Sequence, residues 1–326
     1  MKVGLILATR LDDEAADYND LAPLGLGCLA AMLEREVPDV EVVLRERPEE
    51  LIRERPDLIG ISAATENYWA AAEWAKQFKS ALDIPVVVGG PHISLLPESL
   101  TEDFAVGVIG EGDYTLVDLV RCLASTGFTP HALRAIPGLF FYDQRKPVYT
   151  ATRPLIDDLD VLPRWDIDKL PFFDGSSFHV TGARGCPYKC TFCASEKFNR
   201  VYRAHSPGRV VEEIECLVRT KGARAVMFFD DLLIVSRKRL ALLADLVVAR
   251  GLDRECEFGC QVRANLVTKE VCEHLARMNM RRVGMGLESF NDRVLSAYAK
   301  SKASGEDNQR AIDLLTGHGI QVTPSV

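Results

Sequence analysis

Short, almost uninterrupted apolar segments alternate with helical segments along most of this 326-residue chain, and this alternation restricts the possible folds more than any other feature. In the first 125 residues, five such segments begin at Lys2, Val40, Asp57, Ile84 and Ala105. Strands that are apolar on both faces and are joined by helices form parallel sheets covered on both sides. The sequence therefore predicts an α/β domain over residues 1–130, with a doubly wound parallel sheet of the Rossmann or flavodoxin type.

The alternation resumes with a longer period after Phe178. Five further strand segments are separated by helical segments long enough to be crossovers: "SFHVTGARG", "AVMFFDD", "CEFGCQVRA", "RRVGMGLES" and "IQVTPSV". This pattern is typical of a (β/α) barrel. Because the fifth segment ends the sequence, we expect a partial (β/α)6 barrel over residues 176–326, truncated after its fifth strand. Residues 131–175 between the two domains are predicted to form a hairpin, with its turn near Gln144–Lys146, and an acidic, proline-rich linker.

Charge and cysteine content narrow the functional classes. The net charge is −8 and no basic cluster occurs, which argues against nucleic acid as a partner. No apolar segment approaches the ~18 residues of a membrane-spanning helix, and the N-terminal apolar run is too short for a signal peptide. We therefore expect a cytoplasmic protein with no transmembrane segment. The cysteines number nine, which is a poor disulfide framework, and clustered thiols in a reducing compartment more often bind metal.

Three cysteines lie within eight residues in the segment Arg184–Ser195, "RGCPYKCTFCAS". Structural zinc normally takes four protein ligands, whereas this loop offers Cys186, Cys190 and Cys193 and no fourth Cys or His. Three thiolates suit a cubane iron–sulfur cluster in which one iron has no protein ligand. Barrel enzymes bind their ligands at the carboxyl ends of the strands. The polar residues predicted there are the three cysteines, Asp230, Asp231, Arg263, Glu288 and Ser289.

The corresponding edge of the first sheet is predicted to carry short, polar, glycine-containing loops, which let the backbone approach a ligand closely. Their candidate ligand-binding residues are Thr9, Ser62, Thr65, Gly89, Gly90, His92, Gly110 and Glu111. The loop after the first strand, "TRLDDEAADYNDLAPLG", is acidic over Asp12–Asp20 and contains no histidine. We interpret this acidic run as a solvated loop at the ligand-binding edge.

The segment "CPYKCTFC" matches the CxxxCxΦC signature of the radical S-adenosylmethionine (SAM) enzymes, with Phe192 as the aromatic residue before the last cysteine. The segments "RAHSPGRVVEEIE", "FFDDLLI", "VRANLV" and "GMGLESFNDRVL" also resemble that family, at the expected spacing. The resemblance implies a [4Fe–4S] cluster on the three cysteines, with SAM bound to its open iron. Reductive cleavage of SAM would then give a 5′-deoxyadenosyl radical.

The same resemblance implies roles for the polar residues after the later strands. Asp230 or Asp231 would accept from the SAM amino group, Arg263 would bind its carboxylate, and Glu288 with Ser289 would bind its ribose. A helix N-cap for the aspartates and a surface ion pair for Arg263 are the structural alternatives.

The N-terminal half resembles the cobalamin-binding domain fused to many radical SAM enzymes, through "PLGLGCLAAMLE", "GISAATE", "VVVGGPHISLLPES" and "VIGEGDYTLVDLV". This implies that the candidate residues of the first sheet edge contact cobalamin. The cobalamin domains of mutases carry a histidine in the first loop that ligates cobalt. Since this loop has none, cobalt is expected to be bound without a lower histidine ligand. For His92, a loop histidine bonded to backbone is an equal alternative.

Together the two resemblances predict a cobalamin-dependent radical SAM enzyme that transfers a methyl group to an unactivated carbon. The alternatives are a cobalamin-assisted radical cyclase or rearrangement enzyme, and a non-catalytic cobalamin-binding sensor or carrier with a vestigial barrel. The substrate would be a small molecule, a lipid or a peptide. A reducing partner such as flavodoxin or ferredoxin is expected.

Overall fold

The computed structural model describes residues 1–9, 22–170, 178–198, 201–298 and 303–325. The chain divides into two compact units, residues 1–156 with 161–173 and residues 157–160 with 174–326. Within the described ranges, no helix combines the length and the apolar character that crossing a membrane requires.

The first unit alternates strands and helices. Its elements are β1 Lys2–Leu7, α1 Leu24–Glu36, β2 Glu41–Leu44, α2 Pro48–Glu54, β3 Leu58–Ser62, α3 Tyr68–Leu82, β4 Val86–Gly89, α4 Pro91–Leu95, β5 Val106–Val108, α5 Asp113–Ser125, α6 Pro130–Arg134, β6 Leu139–Asp143 and β7 Lys146–Tyr149.

The first five strands form a parallel sheet in the order β2-β1-β3-β4-β5. The central strands are buried because their side chains face helices on both sides of the sheet, as the apolar runs predict. This confirms the predicted α/β fold with a parallel sheet for the first unit.

The predicted hairpin forms and extends this first sheet. Its two turn residues, Gln144 and Arg145, have φ of 50° and 65°, the left-handed values that a two-residue type I′ turn requires. Strand β6 pairs antiparallel with β5, and its residues Leu139, Phe140 and Phe141 are buried. The sequence places the hairpin in a segment between the domains. Strand β6 instead pairs with β5 at the edge of the first sheet, and this pairing buries its apolar residues.

The second unit contains β8 Phe178–Val180, β9 Ala183–Arg184, α7 Ser195–Phe198, β10 Arg203–Ala204, α8 Pro207–Lys221, β11 Ala225–Phe228, α9 Arg237–Ala249, β12 Glu257–Val262, α10 Lys269–Arg277, β13 Met280–Gly286, α11 Asp292–Ala297, α12 Gly305–Gly317 and β14 Gln321–Ser325.

The five predicted strands of this unit are confirmed and pair in parallel in the order β14-β13-β12-β11-β8. Four helices that connect or follow them start at hydroxyl side chains, Ser206 for α8, Ser236 for α9, Thr268 for α10 and Ser304 for α12. Each side chain accepts from a backbone N–H of the first turn, which satisfies one donor that the helix itself leaves unpaired. Because each strand lies beside the next along the chain, the loops after β8, β11, β12 and β13 emerge in order along one edge.

Candidate functional site

The cysteine loop follows the edge strand β8. Cys186 and Cys190 are half-buried and Cys193 is exposed, and the backbone N–H of Cys193 donates to the carbonyl of Cys190 at 3.1 Å. Burial raises the pKa of the Cys186 thiol, and the negative charges of Asp231, Cys193 and Cys190 raise it further. The Cys186 thiol is therefore within electrostatic reach of the Asp231 carboxylate and of the other two cysteines.

The donor set of this loop consists of three thiols. Within the ranges that the structure describes, no group of three or more His, Cys, Asp or Glu side chains is arranged to hold a single metal ion. Structural zinc takes four protein ligands, whereas an iron–sulfur cubane that keeps one open iron needs three thiolates. Cys186, Cys190 and Cys193 therefore fit the cluster chemically.

The two neighbouring aspartates after β11 have different surroundings. Asp230 is buried, and its Oδ1 accepts from the backbone N–H groups of Gly182 at 2.6 Å and Ala183 at 3.1 Å. Burial raises the pKa of Asp230 to about 7. Asp231 is exposed and is hydrogen-bonded by the Ser195 side chain. Neither residue caps a helix, since α9 begins after Ser236. Asp230 anchors the start of the cysteine loop, and Asp231 faces the loop itself.

Arg239 is a second anchor for this loop that the sequence did not reveal. Its Nη2 donates to the carbonyl of Gly182 at 2.8 Å and to that of His205 at 3.2 Å. A Cβ atom on Gly182 would lie 3.0 Å from Asp230 Oδ2 and 3.3 Å from Arg239 Nη2. A side chain at position 182 would therefore press on both the Asp230 carboxylate and the Arg239 guanidinium.

Arg263, at the carboxyl end of β12, is buried and is not a surface ion pair. Its Nη1 donates to Cys190 Sγ at 3.2 Å, and its Nε donates to Asn265 Oδ1 at 2.7 Å. The guanidinium carbon lies 4.0 Å from the centroid of the Tyr188 ring. The structure thus brings Arg263 to the cysteine loop, as predicted, but directs it at a cysteine sulfur.

Glu288 and Ser289 follow β13 in a strained turn. Glu288 has φ of 61°, a left-handed conformation that costs a non-glycine residue on the order of 1–3 kcal/mol. The backbone N–H groups of Leu287 and Glu288 both donate to the carbonyl of Ser325, at 2.9 and 3.1 Å. Both predicted site residues are half-buried at the strand edge.

The buried residue Asn308 of α12 holds this turn. Its Nδ2 donates to the carbonyls of Leu287 at 3.0 Å and Ser289 at 2.8 Å. Asn308 is not among the predicted site residues, although its sequence context carries a signal. It shares one helix face with Ala311 and Leu315, so a polar residue interrupts an apolar stripe.

Phe192 points outward from the cysteine loop. Its side chain is 53% exposed and meets Tyr298 edge-on, with 5.7 Å between the ring centroids. The backbone N–H and the hydroxyl of Thr191 both donate to the carbonyl of Tyr298. Phe192 is therefore available to pack against a bound ligand.

In the first unit, three predicted residues lie at the carboxyl ends of adjacent strands and are half-buried: Thr9, Ser62 and Gly89. Gly90 has φ of 98°, and a Cβ there would lie 2.7 Å from the carbonyl of Ala63, so glycine is needed for the chain to pass. Gly110 has φ of 81°, and a Cβ there would meet no atom within 4 Å. Backbone and hydroxyl groups thus border one open edge of the sheet.

His92 is buried, and both of its ring nitrogens are engaged. Nδ1 lies 3.1 Å from Thr65 Oγ1 and Nε2 lies 2.9 Å from Ser99 Oγ, while the ring stacks on Tyr68 at 3.9 Å. Burial lowers its pKa, so the ring is neutral at pH 7. His92 and Thr65 therefore stabilise each other within the loop structure.

Glu111 accepts from the backbone N–H of Ile156 through Oε2 at 2.9 Å, which ties the end of the hairpin segment to this loop. The acidic run Asp12–Asp20 lies outside the described residues.

Comparison with known families finds two matches. The family described as the B12 binding domain matches residues 15–120, and the Radical SAM superfamily matches residues 180–326.

Curated proteins also match over most of the chain. An uncharacterized methyltransferase of Pyrococcus horikoshii is 31% identical over 309 residues, which are 89% of this chain and 65% of that protein. The anaerobic magnesium-protoporphyrin IX monomethyl ester cyclase of Cereibacter sphaeroides is 31% identical over 288 residues, 84% of this chain and 47% of the relative. The hopanoid C-3 methylase of Methylococcus capsulatus is 26% identical, over 93% of this chain and 60% of that enzyme. The chain thus spans about half to two thirds of these relatives.

Two solved structures share the fold. The radical SAM methyltransferase TsrM of Kitasatospora setae superposes with a TM-score of 0.82 at 21% identity, covering 99% of this chain and 67% of that chain. The cobalamin-dependent SAM radical enzyme OxsB superposes with a TM-score of 0.82 at 19% identity, covering 99% of this chain and 49% of that chain.

Proposed function

Because this chain belongs to the radical SAM enzymes that carry a B12-binding domain, we propose that it binds a [4Fe–4S] cluster, SAM and cobalamin and transfers a methyl group to an unactivated carbon. When bound, the cluster and SAM supply a 5′-deoxyadenosyl radical, and cobalamin supplies a carrier for the methyl group. The names of the methyltransferase and methylase relatives support this reaction.

One observation carries the proposal: the cysteine loop, Asp231 and Arg263 meet at the carboxyl ends of three neighbouring parallel strands, β8, β11 and β12. Enzymes built on strand–helix repeats bind their ligands at this edge. In the proposal, Cys186, Cys190 and Cys193 hold the cluster. The five parallel strands pair in chain order, which supports the proposal that this unit is part of a (β/α)6 barrel.

Asp231 is the residue that we propose for the SAM ammonium group. It is exposed toward the cysteine loop, whereas the Asp230 carboxylate already accepts from two backbone N–H groups. A carboxylate and an ammonium group form a charge-assisted hydrogen bond. Glu288 and Ser289 are proposed to bind the ribose hydroxyls, and Phe192 to pack against SAM.

For cobalamin, we propose contacts from the half-buried edge residues Thr9, Ser62 and Gly89 and from the loops at Gly110. His92 already bonds through both nitrogens, so in this proposal it holds the loop and leaves cobalt without a histidine ligand.

A radical cyclase is the second candidate, because the magnesium-protoporphyrin ester cyclase of Cereibacter sphaeroides is as similar in sequence as the methyltransferase relative. A non-catalytic cobalamin sensor or carrier is the alternative in which SAM is never cleaved. For either enzyme reaction, we propose that a cytoplasmic reductant of the flavodoxin or ferredoxin type supplies electrons to the cluster. We propose that the substrate is a small molecule, a lipid or a peptide.

Anaerobic reconstitution of the chain with iron, sulfide and cobalamin tests the proposal. Iron and sulfide content, the EPR signal of the reduced protein with and without SAM, and 5′-deoxyadenosine formation would be measured. We expect about four irons per chain and SAM cleavage. Both should disappear when Cys186, Cys190 and Cys193 are replaced by alanine. Cys216→Ala is the matched control, because Cys216 is an exposed thiol on α8 outside the loop.

The outcomes separate the candidates. Zinc bound in place of iron would refute the radical mechanism, and a loaded cluster that never cleaves SAM would favour the sensor. Deuterium-labelled SAM then distinguishes the two reactions. A labelled methyl group in an organic product supports methyl transfer. Unlabelled ring closure of magnesium-protoporphyrin IX monomethyl ester supports the cyclase.

A further inference from the structure

We infer that Arg263 is a positioning residue that sets the reduction potential of the cluster, through a charged hydrogen bond to the sulfur of Cys190. The inference rests on the proposed function, because it requires that Cys190 be a cluster ligand. It differs from the role that the sequence suggests for Arg263, which is binding the SAM carboxylate.

The geometry of the guanidinium group supports this role. Arg263 is 7% exposed, and its Nη1 lies 3.2 Å from Cys190 Sγ. An arginine is protonated at every physiological pH, so this donor carries a full positive charge to the sulfur. A buried charge normally needs a partner of opposite sign, and a cluster thiolate supplies one.

Two side chains hold the guanidinium in this orientation. The Tyr188 ring lies against it, with 4.0 Å between the guanidinium carbon and the ring centroid, and Asn265 Oδ1 accepts from Nε at 2.7 Å. The Asn265 Nδ2 group in turn donates to the Tyr188 hydroxyl at 3.4 Å. Tyr188 belongs to the cysteine loop, two residues before Cys190. Tyr188 of the cysteine loop therefore helps to orient Arg263 toward Cys190 of the same loop.

The direction of the effect follows from charge. Reduction adds one electron to the cluster, and hydrogen bonds to the sulfurs are among the factors that set cluster potentials. A positive donor at Cys190 stabilises the more negative, reduced state. Arg263 is therefore expected to make the cluster easier to reduce.

A redox titration monitored by EPR tests this inference on the reconstituted chain. For Arg263→Gln, we expect the ratio of reduced to oxidised cluster at a fixed potential to fall about tenfold, which is a shift of 59 mV for a one-electron couple. Arg263→Lys keeps the charge and is expected to recover part of the shift. Arg277→Gln is the matched control, because this arginine bonds to Asp245 on an exposed surface of the same unit.

The outcomes distinguish this inference from the proposed function. Wild-type protein without an iron–sulfur cluster would refute the proposed function. A fully loaded Arg263→Gln variant with an unchanged potential would overturn the inference alone. If Arg263→Gln bound SAM more weakly and had an unchanged potential, the inference would also be overturned. Arg263 would then be assigned to binding the SAM carboxylate.

A second variant keeps the test decisive if Arg263→Gln loses its cluster. Asn265→Ala leaves the charge of Arg263 in place but removes the acceptor that orients its guanidinium. We expect its potential to move in the same direction by a smaller amount. A potential equal to that of wild type would overturn the inference.

Discussion

Replacing Asn308 with alanine is expected to destabilise the second unit by about 2 kcal/mol. Asn308 is fully buried and donates to two carbonyls on either side of Glu288. The Leu287 carbonyl still accepts from the N–H of Ser289, so its loss is that of an ordinary hydrogen bond, about 0.5–1.5 kcal/mol. No other donor reaches the Ser289 carbonyl among the described residues. The Ser289 carbonyl is only part-buried, so its loss lies at the lower end of the about 1–3 kcal/mol that an unpaired buried acceptor costs.

Urea denaturation followed by two signals can localise this loss. The three tryptophans of the chain, Trp69, Trp74 and Trp165, all belong to the first unit, so tryptophan fluorescence reports on that unit alone. Far-UV circular dichroism reports on the helices of both units. We expect Asn308→Ala to lower the urea midpoint of the second unit, which circular dichroism detects and tryptophan fluorescence does not. The fluorescence midpoint serves as the internal reference.

Gln309→Ala is the matched control for this prediction. Gln309 is the next residue of α12, is exposed, and loses only its hydrogen bond to Asp313. Surface substitutions of this kind usually change stability by less than about 0.5 kcal/mol. If Asn308→Ala were no more destabilising than Gln309→Ala, Asn308 would not hold the turn at Glu288, and the reasoning would be refuted.

Three further predictions concern strain and ionisation. Glu288→Gly relieves the left-handed strain, so the second unit should keep its stability or gain up to about 1 kcal/mol while SAM binding, measured by equilibrium dialysis, weakens; a large destabilisation would contradict this. Since the pKa of Asp230 is raised from 3.8 to about 7, the folded state keeps a proton that the unfolded state releases between these pH values, and stability falls as the pH rises through them. Asp230→Asn should remove about 4 kcal/mol of that pH dependence. The urea midpoints of the wild type and of Asp230→Asn at pH 4.5 and 7.5 measure this. The same change in midpoint between the two pH values in both proteins would contradict the prediction. Burial lowers the pKa of His92, so below about pH 6.5 the unfolded state gains a proton that the folded state does not. Acidification should therefore shift the tryptophan-fluorescence midpoint of the wild type to lower urea, and that of His92→Asn by less. Equal shifts would show that His92 is not the group responsible.

Most of the fold could be predicted from the sequence, because each strand is a short apolar run between helices. The ten strands expected for the two sheets all form. The hairpin was placed apart from the first sheet because periodicity does not reveal which edge a strand will join. Its buried residues Phe140 and Phe141 decide that through packing with the first unit.

The candidate site could be predicted only to the level of the strand ends. Asp230 and Asp231 are adjacent in sequence, and only the path of the chain after β11 directs one into the core and the other to the cysteine loop. The contact between Arg263 and Cys190 joins residues 73 positions apart. Such pairs depend on the order and register of the strands, which no local pattern encodes.

The cysteine loop has a consequence for how the protein matures in the cell. None of the residues from Cys186 to Cys193 is buried, so the apolar interior of the second unit closes without them. A small zinc domain collapses when its ion is removed, because metal binding supplies its folding energy. Here the polypeptide is expected to be complete before any iron arrives.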